Sequence, residues 1–217
     1  MRAVFPIIPG LLFVILANKK KIINTNQLSN IYGFMSNRSD IREIKVMDYL
    51  GEIMQGVKVA ALITTSTKEK TNSMTISWGH IGIEWNKLIF VAYVRTSRFT
   101  HKMLDESNEF TINVGSGKRA QEILAYCGSK SGANVNKVEE LDLTLIKGNK
   151  IATPGIKELP LTLECKVIYK QLQDRSAMPE DVLKKFYPEN VASNFSGSNR
   201  DMHTMFYGEI VGGYVAL

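Results

Sequence analysis

The sequence predicts a mainly β fold, a barrel or sandwich into which short helices are inserted. Three observations carry this. Apolar and β-branched extended runs outnumber segments of helical spacing. The helical segments are short and scattered and do not alternate regularly with strands. No G-x-G-x-x-G follows a first strand, so a doubly wound dinucleotide fold lacks its main signal.

The elements follow in order. Val46, Leu50, Ile53 and Met54 recur at helical spacing over residues 46–54. Residues 57–65 are β-branched and apolar enough for a buried strand, and the polar residues 66–71 read as a turn. Residues 73–78 and 88–94 read as two further strands joined by a glycine-marked connection. Residues 100–107 suit a short helix capped by Thr100. Residues 109–114 form a strand, and 119–126 a helix stopped by Gly128. Over 163–171, Leu163, Cys165, Val167 and Tyr169 alternate with Glu164, Lys166 and Lys170, the period of a strand. Pro179 falls in the first turn of a surface helix over 179–187. A closing strand over 205–215 carries Gly208, Gly212 and Gly213, which mark a bulge or a close backbone approach.

A chain of 217 residues is long enough for one domain with a substantial core. The formal charge of +6 is concentrated at the start. Residues 1–40 carry Arg2, Lys19, Lys20, Lys21 and Arg38 against Asp40 alone, and the remainder is close to balanced. That distribution argues against a nucleic-acid surface. Cys127 and Cys165 form no C-x-x-C motif, and with three histidines in the chain no zinc pattern is present. The low cysteine count fits a reducing cytoplasm.

Residues 4–17 are almost wholly apolar but fall short of the roughly 20 that a spanning helix needs. Pro6, Pro9 and Gly10 disfavour a regular helix, and the lysine cluster follows the apolar run where a signal peptide would have it precede. The expectation is that residues 1–40 are a poorly ordered or non-native extension, with Met35 or Met47 as the natural start and no stable membrane insertion. The domain proper is expected over residues 41–217.

Residues 72–100 carry the most chemistry. Arg95, Ser97, Arg98 and Thr100, with Phe99 between them, lie within six positions at an expected strand-to-helix junction. A helix N-terminus offers free N–H groups, and arginine adds planar charged donors that match phosphate oxygens. A solvated strand end with a helix cap accounts for the same residues. Asn72, Ser73, Met74, Thr75, Ile76, Ser77 and Trp78 form a sparsely charged extended segment whose amides can meet the polar edge of a flat heterocycle. Trp78 or Trp85 suits a ring face, although an amphipathic strand with core tryptophans fits as well. A ligand with an aromatic ring at one end and a phosphate at the other, such as flavin mononucleotide (FMN), has this shape. Residues 127–132 read as a flexible loop in which Lys130, Ser129 and Ser131 can wrap an anion or a ring edge. Cys127 reads as a small buried residue ending a helix, and His203 as a candidate beside the site. Gly115-Ser116-Gly117-Lys118 lacks P-loop spacing and reads as a turn.

Taken together, several segments resemble, in order and spacing, the flavin reductase-like or flavoredoxin family of FMN-binding split β-barrels. They are the 72–78 segment, His80-Ile81-Gly82-Ile83-Glu84-Trp85, the 95–100 segment, Glu109-Phe110-Thr111-Ile112-Asn113, the 127–132 loop, and Asp201-Met202-His203-Thr204 before Tyr207-Gly208-Glu209. The likeness runs from about Glu43 to the C-terminus. Gly115 to Lys118 departs from it, standing where many relatives place a proline. The resemblance implies a homodimer with FMN near the subunit interface, the 72–78 segment against the isoalloxazine, and residues 95–100 on the phosphate. It also places Cys127, Lys130, Ser131 and His203 close to the flavin. The activity it implies is an NAD(P)H-dependent flavin reductase, with the chemistry carried by FMN and no catalytic acid–base pair required. Two alternatives stand beside it: an FMN electron carrier that exchanges electrons with a redox protein such as a ferredoxin, and a non-redox split barrel that binds another planar ligand.

Overall fold

The computed structural model describes residues 39–195 and 197–217, so the expectation for the N-terminal extension lies almost wholly outside the described residues. Ten strands are described. They are β1 (Ile41–Glu43), β2 (Ala61–Ser66), β3 (Thr71–Ile76), β4 (Gly79–Glu84), β5 (Lys87–Arg95), β6 (Glu109–Val114), β7 (Leu145–Ile146), β8 (Gly155–Ile156), β9 (Leu161–Leu172) and β10 (His203–Ala216). Five α-helices interrupt them: α1 (Leu50–Val59), α2 (Phe99–Ser107), α3 (Gly117–Ser129), α4 (Lys137–Glu140) and α5 (Glu180–Phe186). The mainly β fold with short inserted helices is therefore what the chain adopts.

Eight strands form one antiparallel sheet in the order β3-β2-β6-β9-β10-β5-β4, with β1 paired to the end of β10. β3 and β4 end the path without pairing to each other, so the barrel stays split. The 14-residue β10 makes this possible by pairing with β9 along most of its length, with β5 through its first half and with β1 through its last residues. Its register shifts between Tyr207 and Gly208 and between Ile210 and Gly212, which are bulges at two of the glycines singled out in the sequence. At Gly208 a Cβ would lie 2.5 Å from the Phe110 ring, so the strand bends where a side chain cannot be accommodated.

The inner face carries the main core. Phe90, Phe110 and Phe206 are fully buried with Ile53, Ile63 and Ile112. Each such side chain contributes roughly 1.5–3 kcal/mol on burial. A smaller core forms where α3 packs Ala120, Ile123, Leu124 and Cys127 against Leu62, Leu143, Ile156 and Leu159.

Three elements differ from expectation. Residues 57–59 extend α1 and do not open β2, because Val57 lies one turn beyond Ile53 on the same buried face. β4, expected only as a connection, is a strand that folds back onto β5 through Trp85 and Asn86, both at positive φ (50° and 58°). Two such residues make the turn whose twist matches a hairpin, usually with glycine or asparagine. Thr100 does not cap α2; Arg98 occupies that position and Thr100 is buried inside the first turn.

Candidate functional site

Two adjoining cavities open between β3, the start of α2, the end of α3 and the excursion that links β9 to β10. The first, about 180 Å³, is lined by Met74 and Thr75, by residues 97–100, by residues 127–132, and by Lys137 and Asn194. The second, about 400 Å³, is lined by Met74, Thr75, Ile76, Ser77 and Trp78 together with Tyr93, Arg95, Arg98, Phe186 and His203. Met74, Thr75 and Arg98 border both. The fold thus brings together the three segments that the sequence singled out.

Their side chains divide the work unevenly. Asn72 and Ser73 line neither cavity. Asn72 Nδ2 donates to Thr100 Oγ1 at 2.9 Å, which ties β3 to α2, and Ser73 Oγ bonds Thr64 Oγ1 at 2.8 Å in the interior. Thr75 Oγ1 donates to the Leu124 carbonyl at 2.6 Å, pinning β3 to α3. Ile76 also belongs to the main core. What β3 offers to a ligand is therefore Met74 and the part of its unpaired backbone edge that Lys137 leaves free.

The two arginines have different fates. Arg95, the last residue of β5, is buried, and its guanidinium donates to the carbonyls of Asn199 (2.9 Å), Asp201 (2.5 Å) and Phe186 (2.8 Å). It lies 5.0 Å from the Tyr187 ring centroid. Arg95 fastens the excursion over the site and has little capacity left for a phosphate. Arg98 spends one nitrogen on the Phe195 carbonyl (2.7 Å) and presents the guanidinium to both cavities. Ser97 Oγ donates to the Ser193 carbonyl at 3.1 Å. Phe99 carries the Lys70 ammonium 5.5 Å from its ring centre, and that ammonium also donates to the carbonyls of Gly132 and Val135.

The helix expected to stop before Gly128 runs on to Ser129, so Cys127 is a buried helical residue. Burial pushes its thiol up to about 11 despite the nearby Lys137, which leaves it protonated and unreactive. Lys130 and Ser131 line the smaller cavity. Lys137, which the sequence reading passed over, lines it too; its ammonium donates to the carbonyls of Ser73 and Cys127.

The larger cavity has an aromatic wall. Trp78 lies 4.8 Å from the His203 ring and 5.3 Å from the Phe186 ring, the latter edge-on. Trp85 sits instead at the hairpin tip, 56% exposed, against Tyr169. His203 is 7% exposed, and burial together with Arg95 and Arg98 lowers its pKa to about 3. Tyr187 donates its hydroxyl to Gln173 Oε1 (2.7 Å) and meets His203 Nδ1 at 2.9 Å. That order of donation puts the imidazole proton on Nδ1 and leaves Nε2 an acceptor. A neutral imidazole of this kind packs and orients; its one N–H is committed to Tyr187, and burial disfavours the imidazolium form.

A family model described as the flavin reductase like domain matches residues 55–217. The chain belongs to that family. A protein of Archaeoglobus fulgidus is 33% identical over 106 residues, 49% of this chain and 59% of the relative, so the chain spans less than two thirds of that protein. Among solved structures, flavoredoxin of Desulfovibrio vulgaris (Miyazaki F) is similar with a TM-score of 0.53 and 22% identity over 72% of this chain and 68% of that one. The FMN-binding domain of a flavin reductases-like enzyme from Shewanella baltica OS155 superposes with a TM-score of 0.54 and 17% identity over 81% and 77%. At these identities the solved structures establish the fold of this family member, and its chemistry rests on its own residues.

Proposed function

We propose that this chain binds FMN and acts as an NAD(P)H-dependent flavin reductase. The observation that carries the reading is a pair of abutting cavities that share Arg98, one with further lysines at its edge and the other with several aromatic rings in its wall. One is edged by the cations Arg98, Lys130 and Lys137, by hydroxyls and by the N-terminus of α2; the other is walled by Trp78, Tyr93, Phe186 and His203. The first fits a phosphate and the second a flat ring, with the exposed edge of β3 running past both. FMN, once bound, supplies the redox chemistry. The residues of the chain would hold it: Arg98 and the free amides at the start of α2 would take the phosphate, while backbone groups over residues 74–78 would meet the polar edge of the ring. Trp78 and Phe186 exclude water from one side of the larger cavity. A third hollow, about 500 Å³, shares Ser77, Trp78 and Tyr93 with the ring cavity and opens toward α1. That hollow favours a small-molecule donor such as a nicotinamide over transfer from a protein partner.

The homodimer implied by the family likeness is supported by large apolar side chains left in solvent, Trp85 at the hairpin tip against Tyr169 of β9. Both cysteines are free, in keeping with a cytoplasmic protein. The test is the visible spectrum of the purified protein before and after NADH or NADPH. Flavin absorbance bleached by a nicotinamide supports the reductase. Bleaching only by a reduced protein donor replaces it with the carrier, and a colourless protein that takes up no added FMN removes the flavin reading altogether.

A further inference from the structure

The hollow beside the ring cavity holds a proton donor that hydride transfer to a flavin does not use. Tyr93, in β5, borders both spaces, so its phenol stands where they meet. Burial raises its pKa, which keeps the phenol protonated at neutral pH. Its oxygen lies 3.4 Å from Nδ1 of His80, an exposed residue of β4 that also lines the hollow. With the imidazole proton on Nδ1, His80 donates to the phenolic oxygen and the hydroxyl hydrogen is left for an occupant of the hollow. A second donor is fixed nearby. Gln173 Oε1 accepts the Tyr187 hydroxyl at 2.7 Å, and the Gln173 backbone N–H donates to the His203 carbonyl at 2.9 Å. These bonds hold the side-chain amide in one orientation, and its two N–H groups have no acceptor among the described residues. Met54 and Val57 of α1 give the hollow an apolar side, and Trp78 an aromatic one.

We infer that this hollow binds a flat α,β-unsaturated carbonyl compound and that Tyr93 is the acid that protonates its α-carbon, so that the protein hydrogenates a conjugated C=C bond. This rests on the flavin reading and extends it: once the nicotinamide has left, the same hollow receives the acceptor. Gln173 donates to the carbonyl oxygen, which polarises the double bond. A hydride that began on the nicotinamide adds to Cβ as the C=C π bond opens, and the Tyr93 proton forms the new Cα–H bond. His80 returns a proton to the phenolate and takes one from water. The net reaction converts the unsaturated compound, NAD(P)H and one proton to the saturated compound and NAD(P)+. Hydride transfer to a flavin needs no positioned acid, whereas a carbon centre takes up a proton slowly from bulk water, so a phenol held beside an exposed imidazole serves this acceptor.

The probe is α-methylcinnamaldehyde, which gains a stereocentre at Cα when that carbon is protonated. Calorimetry on the oxidised protein, with no nicotinamide present, reads binding alone: Gln173→Leu weakens it by about three- to tenfold, the size of one hydrogen bond. Given NAD(P)H, the wild type yields the saturated aldehyde with one enantiomer in excess at Cα, the mark of a positioned proton donor, and this measurement needs no variant to fold. In Tyr93→Phe the rate with the aldehyde falls about a hundredfold or more beyond any fall in the rate with ferricyanide, which takes up electrons and no proton at carbon. No binding, an affinity indifferent to Gln173→Leu, a racemic product, or equal falls with the two acceptors each overturn the inference. Flavin bleached by nicotinamide but not restored by the aldehyde overturns it while the flavin reading stands; a protein that takes up no flavin removes both.

Discussion

Replacing Arg95 by methionine separates two roles for this residue. The sequence placed it on the phosphate; the fold spends it on three carbonyls at 2.5–2.9 Å and on the face of Tyr187. Each hydrogen bond from a charged donor is worth roughly 1.5–3 kcal/mol net. A simple sum over three overstates the loss, because methionine refills part of the space and the freed carbonyls near the surface regain water. About 3–5 kcal/mol is expected, the range for removing one member of a buried polar set. For a chain of this size that corresponds to a fall in Tm of about 10 °C. Differential scanning calorimetry measures the stability, and limited proteolysis shows cleavage appearing first within residues 174–202, the segment Arg95 holds down. Affinity for FMN and riboflavin should fall together, since both rely on the same covering segment. An unchanged Tm with a loss confined to FMN would refute this and return Arg95 to the phosphate.

Gly132→Ala places a Cβ 2.0 Å from Asn72 Oδ1 and 3.1 Å from the Phe99 ring. Asn72 must then move away from Thr100, at a cost of about 1–3 kcal/mol in urea unfolding; a neutral substitution would show that the loop gives way freely. Cys127 and Cys165 are both buried with thiol pKa values raised by burial, so neither reacts with a thiol reagent at pH 8 until the protein unfolds; rapid stoichiometric labelling of the native protein would contradict that. His203 has a folded pKa of about 3 against 6.5 when unfolded, so between those values the unfolded chain binds more protons. Stability attributable to this group is therefore fully present above pH 6.5 and falls by up to about 1.4 kcal/mol per pH unit as pH drops toward 3. Its imidazole NMR signals should stay constant from pH 8 to 5, and a midpoint near 6.5 would exclude the buried neutral form.

Much of the sheet was legible because its strands are buried on their inner faces and say so in composition. β5 reads as a near-continuous apolar run, β9 alternates through its first half, and the glycines of β10 fall at its register shifts. β4 was not legible. Gly79–Glu84 is short and half exposed, and its hairpin turn is made by Trp85 and Asn86 with no glycine to mark it. The boundary of α1 failed for a related reason. Val57 and Val59 favour strands intrinsically, but Val57 completes the apolar face begun by Ile53, and that packing outweighs a propensity difference of well under 1 kcal/mol.

The site shows a sharper limit, visible in two arginines three residues apart. Arg95 and Arg98 are the same side chain in the same motif, and local sequence gives no reason to assign them different duties. Their partners are backbone carbonyls of residues 186–201, about 90 to 106 positions along the chain, and a carbonyl leaves no signature in sequence. Strand geometry decides between them. Arg95 still belongs to β5 and pairs with His203, so its side chain is committed to the segment entering β10; Arg98 has left the strand and caps α2, facing the space between β3 and α3. Lys137 is the converse case. It stands in no recognisable motif, yet the turn between α3 and α4 folds its ammonium back under β3, where the sequence reading had looked for hydroxyls and amides alone. A motif can name the strand-to-helix junction that receives an anion, but which cations meet it depends on carbonyls and chain reversals that only the folded molecule supplies.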